Sequence, residues 1–205
     1  MKDLLVLVAD KDAELLIKEL LLRIPPLANL REFSYEILRH PQRDEGIANR
    51  ATDYVQPFVN DFRFLLVLSD YTGSGKKYIP RVQVETEFEN QFNQNGWPDR
   101  NACIFFEPEL EAWFWVRHNF LHRLVDWQDE QNIYDWLIQE GYQFRENSQK
   151  PVYPKETFEA ILKKQKIPHS SAIYARFARI VDYRQCVDPT FLKFLNTLKK
   201  WFSKE

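Results

Sequence analysis

Acidic side chains stand where three apolar runs of strand length end. Asp10 and Asp12 follow "LLVLVA", Asp70 closes "FRFLLVLSD", and Glu107 follows "NACIFF" and opens "EPELEAWFW", where Glu109 and Glu111 lie beside Trp113 and Trp115. In open parallel sheets the binding crevice lies outside the carboxyl ends of the strands, so acids at several strand ends are expected to meet there. Like charges a few ångströms apart in a partly desolvated cleft repel strongly unless a cation or a proton sits among them. Hard oxygen donors of this kind suit Mg2+ or Mn2+ and are poor ligands for zinc. Asp70, Glu107, Glu109, Glu111 and Asp12 are therefore candidate metal ligands. Each also has a local explanation, because an aspartate after a strand often caps the next helix and acids in a first turn complement the helix dipole. Neither accounts for three glutamates beside two tryptophans, where low polarity would sharpen metal affinity and pKa shifts.

Other motifs carry less. "DYTGSGKKY" falls short of a phosphate loop, which needs a glycine where this chain has Asp70 and a Ser or Thr where it has Lys77. A glycine-rich strand end bearing Lys76 and Lys77 could still meet a phosphate near the acids. His118 and His122 share a helix face, but "HNFLH" lacks the glutamate of a zinc protease, and the four histidines read as packing or surface residues. The two cysteines, Cys103 and Cys186, form neither a metal spacing nor a disulfide framework.

The elements that would position the acids alternate. "DLLVLVA" reads as a strand and "DKDAELLIKELLLRI" as a helix that "PP" at 25 and 26 should close. "REFSYEILRH" alternates as a strand through Phe33, Tyr35 and Ile37, and "DEGIANRATDYVQPFVNDF" reads as a helix interrupted near Pro57. After "FRFLLVLSD", "RVQVETEFENQFNQNGW" is a helix ending at Gly96, "NACIFF" a strand, and "EPELEAWFWVRHNFL" a helix with proline in its first turn. Such alternation predicts an α/β fold with a mainly parallel, Rossmann-like sheet flanked by helices. From about residue 126 onward the pattern is helical, with "RENSQKPVYP" as a connector. The expected organisation is an α/β domain over 1–125 and a helical extension over 126–205 packed on it.

With 205 residues, 44% of them hydrophobic, the chain can enclose a core. Its 28 basic and 30 acidic residues leave a net charge of −2, which gives no whole-molecule attraction for nucleic acid or anionic membrane. No apolar run approaches the ~20 residues of a membrane span, and the amino terminus does not read as a signal peptide. The expected location is cytoplasmic, with no membrane partner.

The segments "VADKDAE", "LVLSD" and "FFEPELEAWFW" resemble the TOPRIM-like fold, and within it small proteins of bacterial defence operons. "EPELEAWFW", "KPVYPKETFEAIL", "SSAIYARFA" and "DPTFLKFLNTLKKWF" look more particularly like a component of the methylation-associated anti-phage systems. The resemblance implies Mg2+ (or Mn2+) bound by acids, phosphoryl transfer on nucleic acid, and other subunits of a defence complex as partners. It would place Asp10 at the family's first-strand acid, Asp70 at the first acid of its Asp-x-Asp, and Glu107 or Glu111 at the later acids. In the implied hydrolysis Asp10 or Glu14 orients or deprotonates the water and Lys76 or Lys77 steadies the developing charge. The first acid is here an Asp rather than a Glu, and Asp-x-Asp is reduced to Asp70-Tyr71-Thr72. A catalytically degenerate interaction or sensor subunit is accordingly the alternative to a nuclease.

Overall fold

The structure is a computed structural model that describes every residue except 77, 117, 118, 147 and 205 and the side chain of 119. Four strands, β1 (Lys2–Val8), β2 (Tyr35–Arg39), β3 (Phe62–Asp70) and β4 (Asn101–Phe106), form one sheet in the order β2-β1-β3-β4, with every pairing parallel. The α/β fold with a parallel, Rossmann-like sheet expected from the alternation is the one observed. Strands β1 and β3 carry continuous apolar stretches, over 4–8 and 64–68, because both faces of a parallel sheet are covered. Alternate side chains divide the core in two. Leu5, Leu7, Leu65, Val67, Cys103 and Phe105 pack under α2 (Arg43–Val55) and α3 (Arg81–Gln94). Leu4, Val6, Val8, Leu66, Leu68, Ile104 and Phe106 face the other way, toward α1 (Lys11–Leu27).

The carboxy-terminal helices join that second layer. They are α4 (Asn119–Val125), α5 (Ile133–Gln139), α6 (Pro154–Lys164), α7 (Ser171–Ile180) and α8 (Pro189–Phe202). Phe158, Phe177, Phe194 and Phe202 belong to the same buried cluster as Leu4 and Ile104, so the helical half shares one continuous core with the sheet face it covers. Asp188 starts α8 by accepting from the amides of Thr190 and Phe191 at 2.7 and 3.1 Å, and its carboxylate also pairs with Lys150.

Three local expectations are corrected. The first helix runs through Pro25 and Pro26 to Leu27, because the later amides still find partners: Ala28 donates to Ile24 at 2.8 Å and Leu30 to Pro25 at 2.9 Å. Strand β2 begins at Tyr35, and Phe33 instead stacks on Phe202 with ring centroids 3.9 Å apart. Pro108 opens no α-helix. The chain makes a 3-10 turn over Leu110–Phe114, and α4 starts only at Asn119. A tighter turn brings Leu110 and Trp113, three apart, onto one side, and all five of its residues are buried. The connector near "RENSQKPVYP" is closed by a bridge between Phe144 and Pro151.

Candidate functional site

The order β2-β1-β3-β4 sends the chain from β1 outward to β2 and then back across to β3, so the strand order reverses between β1 and β3. That reversal opens a crevice at their carboxyl ends, and the acids following these two strands face each other across it. Asp10 caps α1, its Oδ1 accepting from the amide of Ala13 at 3.0 Å. Asp70 Oδ1 accepts from the amide of Leu110 at 2.8 Å, which folds the 107–111 loop over the end of β3. Asp44, in the first turn of α2, accepts through Oδ1 from Ser69 Oγ at 2.7 Å and from the Asp70 amide at 2.9 Å. Glu111 Oε1 accepts from the buried Tyr174 hydroxyl of α7 at 2.5 Å.

These four carboxylates and Asp12 line one cavity of 20 Å3, together with Ser69, Lys155 and the apolar walls of Ala9, Ala13, Phe106 and Leu110. Each of the four commits one oxygen to a protein donor. The amide of Asp12 also favours the charged form of Asp10, and the Glu111 backbone that of Glu111.

The electrostatics follow from the crowding. Burial, then the charges of Asp44 and Glu111, push the Asp70 carboxyl well above the ordinary carboxylate range. Burial raises Asp10, with Asp12 and Asp44 adding to the effect. Burial also raises Glu111, against the lowering influence of the Tyr174 hydroxyl. The Lys155 ammonium is opposed by its own burial, but Glu111, Asp70 and Glu109 outweigh that and hold its pKa above the usual lysine value.

The structure thus brings Asp10, Asp12, Asp70 and Glu111 together and leaves other candidates outside. Glu14 does not face the cleft; it pairs with Arg39 at 2.8 Å, since it lies one residue further round α1 than the cavity-lining Ala13. Lys76 is held by Glu87 at 2.6 Å over the ring of Phe88, away from the acids. Lys77 and His118 lie outside the described residues. Glu107 is bound by Arg81 at 3.0 Å, and Arg81 also grips the buried Glu85 at 2.6 Å. Glu109 accepts from the Lys155 amide at 3.0 Å and so tethers the start of α6 instead of lining the cavity.

Sequence reasoning missed Asp44, Lys155 and Tyr174. Asp44 had a signal: it follows the β2 strand as Asp10 follows β1. Lys155 and Tyr174 come from helices remote in sequence, and nothing in "YPKETF" or "AIYARF" points toward β1. The glycine-rich loop also has another use. Gly73 sits against Asp44, where an added Cβ would come within 2.3 Å of the Asp44 Cβ, so this loop backs the cleft wall.

The donor set is all oxygen and charged, which fits a hard divalent cation. The 20 Å3 cavity is the size for one water or one ion. Among the described residues, however, no group of three or more His, Cys, Asp and Glu side chains is arranged closely enough to hold a metal ion as it stands. Comparison with protein-family models, with curated proteins and with solved structures finds no match to this chain.

Proposed function

We propose that this chain is a divalent-cation-dependent phosphodiester hydrolase acting on nucleic acid within a bacterial anti-phage defence complex, as its resemblance to TOPRIM-like defence proteins implies. The observation that carries the reading is the meeting of Asp10, Asp70 and Glu111, 101 residues apart at the extremes, around a cavity fit for one ion. Asp10, Asp70 and Glu111 would hold Mg2+ or Mn2+, with Asp44 and Asp12 adjoining. The bound cation would supply Lewis acidity and neutralise charge on the phosphate. Asp44 fixes the end of β3 through the Asp70 amide, and Tyr174 fixes Glu111, so both ligands are oriented by the chain itself. Asp12, half-buried on the cavity wall, is placed to take a proton from attacking water.

The test is calorimetric titration of Mg2+ and Mn2+ into the parent and Asp70→Asn, followed by cleavage assays of the same samples on single- and double-stranded DNA and RNA. The expected result is binding and cleavage by the parent only. Cleavage by Asp70→Asn at the parental rate overturns the reading. That no group of three or more such side chains among the described residues is placed to hold a metal ion favours a second reading, a degenerate interaction subunit. Obligate co-purification with partners, without intrinsic cleavage, would select it.

A further inference from the structure

The two edges of the sheet are finished differently. On β4 the outward amides are taken by side chains of α3, Cys103 donating to Glu89 and Phe105 to Glu85, each at 3.0 Å. The β2 edge is left open. Leu4 donates to the Ser34 carbonyl at 3.0 Å and His40 to the Val8 carbonyl at 2.9 Å, so by the alternation of a parallel ladder the even-numbered residues bond to β1 and the backbone groups of Tyr35, Ile37 and Arg39 turn outward. Of these groups the Arg39 carbonyl alone, among the described residues, has a partner, the Tyr54 hydroxyl at 3.2 Å. The strand holds no proline, and every residue of it is half-buried or exposed. Its two charges are settled within the chain, Glu36 on Lys2 at 2.7 Å and Arg39 on Glu14 at 2.8 Å, so neither repels an incoming strand as edge charges do.

The residues of β2 are complementary to themselves. Two copies can meet antiparallel about a two-fold axis in registers centred on residue 36, 37 or 38. With Glu36 opposite Glu36, like charges face each other directly. With Leu38 opposite Leu38, Tyr35 falls opposite Pro41, which has no amide to give. With Ile37 opposite Ile37, Tyr35 stands opposite Arg39 and Glu36 opposite Leu38, and every outward amide and carbonyl meets a partner, the Arg39 carbonyl using its second lone pair. This register also matches charge. Burial, then the nearby Glu19 charge, raise the Tyr35 hydroxyl pKa, so an acid lies beside the ring that Arg39 of the second copy would meet. We infer that β2 is a dimerisation edge, and that two copies of this chain join their sheets through antiparallel β2 strands with Ile37 at the two-fold axis. The product is one continuous sheet with a covered β4 at each outer edge, so assembly stops at two. The antiparallel join points the two acidic crevices in opposite directions, and the inference stands whether or not the crevice takes a cation.

The experiment follows the full chain by sedimentation and by hydrogen exchange over a concentration series. The parent should reach a dimer and no larger species, and the Tyr35, Ile37 and Arg39 amides should gain protection by roughly tenfold or more as the dimer fills. Ile37→Pro removes one outward amide and leaves the bonds to β1 in place, a substitution that edge strands tolerate. It should be monomeric with unchanged far-UV circular dichroism. Ile37→Cys decides the matter independently of that variant's folding. A hydrogen-bonded antiparallel pair sets its Cα atoms about 5.5 Å apart, within disulfide reach, and the native Cys103 and Cys186 are buried. Mild oxidation should therefore crosslink Ile37→Cys into a dimer and leave Glu36→Cys uncrosslinked. A monomeric parent whose β2 amides exchange at a rate independent of concentration overturns the inference. So does a dimer that Ile37→Pro leaves intact, an Ile37→Cys that stays uncrosslinked, or growth beyond two copies. A monomeric parent whose Ile37 amide is protected by an added synthetic Val-Thr repeat peptide gives the edge to a foreign strand and likewise overturns the pairing of two copies.

Discussion

Tyr174 donates its hydroxyl hydrogen to Glu111 at 2.5 Å and thereby joins α7 to the carboxylate crevice across 63 residues of sequence. His169, exposed at the surface, approaches the same hydroxyl at 3.3 Å. Burial and the neighbouring Glu111 charge raise the tyrosine pKa, so the hydroxyl stays a donor. Removing it leaves a buried carboxylate oxygen without a partner. Tyr174→Phe should therefore lower stability by about 1–3 kcal/mol and weaken Mn2+ binding, measured by urea unfolding and calorimetry. In a double-mutant cycle with Glu111→Gln the two losses should be less than additive. Additive losses would mean the contact is energetically idle.

The carboxylate cluster carries a stability cost that depends on pH. Asp70, Asp10 and Glu111 have carboxyl groups raised in the fold, so the folded chain holds protons that the unfolded chain releases. Their contribution falls as pH rises from the ordinary carboxylate range through the raised values. Asp3 and Glu19 act with opposite sign. Burial works against the Asp3 carboxylate, but Arg31 and Ser34 hold it below its usual value, and Arg179 lowers Glu19, so their stabilisation is lost as pH falls through those lowered values. Without divalent cation, thermal stability should fall as pH rises above the ordinary carboxylate range, and millimolar Mg2+ should lessen that fall. A melting temperature that climbs steadily from pH 5 to pH 8 without cation would contradict this.

Asp70→Asn isolates the largest part of that cost. The amide oxygen still accepts the Leu110 amide, while one charge leaves the repelling group. At pH 7.5 the variant should be more stable than the parent by about 1 kcal/mol, or roughly 2–4 °C for a chain of this size. A destabilised Asp70→Asn would show that Asp70 serves packing alone.

The parallel sheet and most helix positions were legible because they depend on local periodicity. "LLVLV" and "FLLVL" are buried on both faces, and the α8 segment carries its own start signal in Asp188-Pro189. Four of the five crevice carboxylates, Asp10, Asp12, Asp70 and Glu111, were legible because they lie at or just past strand ends, and Asp44 was not. The aromatic segment was misread because burial decided its geometry: Leu110 to Phe114 are enclosed on all sides, and helical periodicity has no bearing on a segment with no solvent face. Glu107 and Glu111, four apart and alike in type, part company through contacts no spacing encodes. One meets Arg81 from α3 and the other Tyr174 from α7.

Gly73 connects the glycine-rich loop to the cleft. Its Cα faces Asp44, and a methyl group there would stand 2.3 Å from the Asp44 Cβ, close enough to force that residue away from Ser69 and the Asp70 amide. Gly73→Ala should cost about 1–3 kcal/mol as overpacking and reduce Mn2+ affinity by displacing the support of Asp70. Gly75→Ala, at φ 70° with open space around it, should cost about 1 kcal/mol through backbone strain and leave Mn2+ affinity unchanged. Equal effects of the two substitutions on Mn2+ would remove Gly73 from the site's support.

A second acidic group, on the outer side of β4, shows what neutralisation does to the same residue type. Strand β4 is an edge strand, and α3 covers its free amides: Glu89 accepts from Cys103 and Glu85 from Phe105, each at 3.0 Å. Those carboxylates are balanced by Arg81 at 2.6 Å from Glu85 and by Lys193 of α8 at 3.1 Å from Glu85 and 2.7 Å from Glu89. Every charge here has a partner, so this cluster stabilises the edge and blocks pairing with another chain, whereas the crevice acids, with one lysine among five, are left with charge to offer a cation. Glu85→Ala should leave Arg81 with Glu107 alone, strand the Phe105 amide and cost about 3–5 kcal/mol. Glu85→Gln keeps an acceptor for that amide and should cost less. Hydrogen exchange at Phe105 distinguishes the two: fast in Glu85→Ala and slow in Glu85→Gln, with equal protection in both ruling out this role for the side chain.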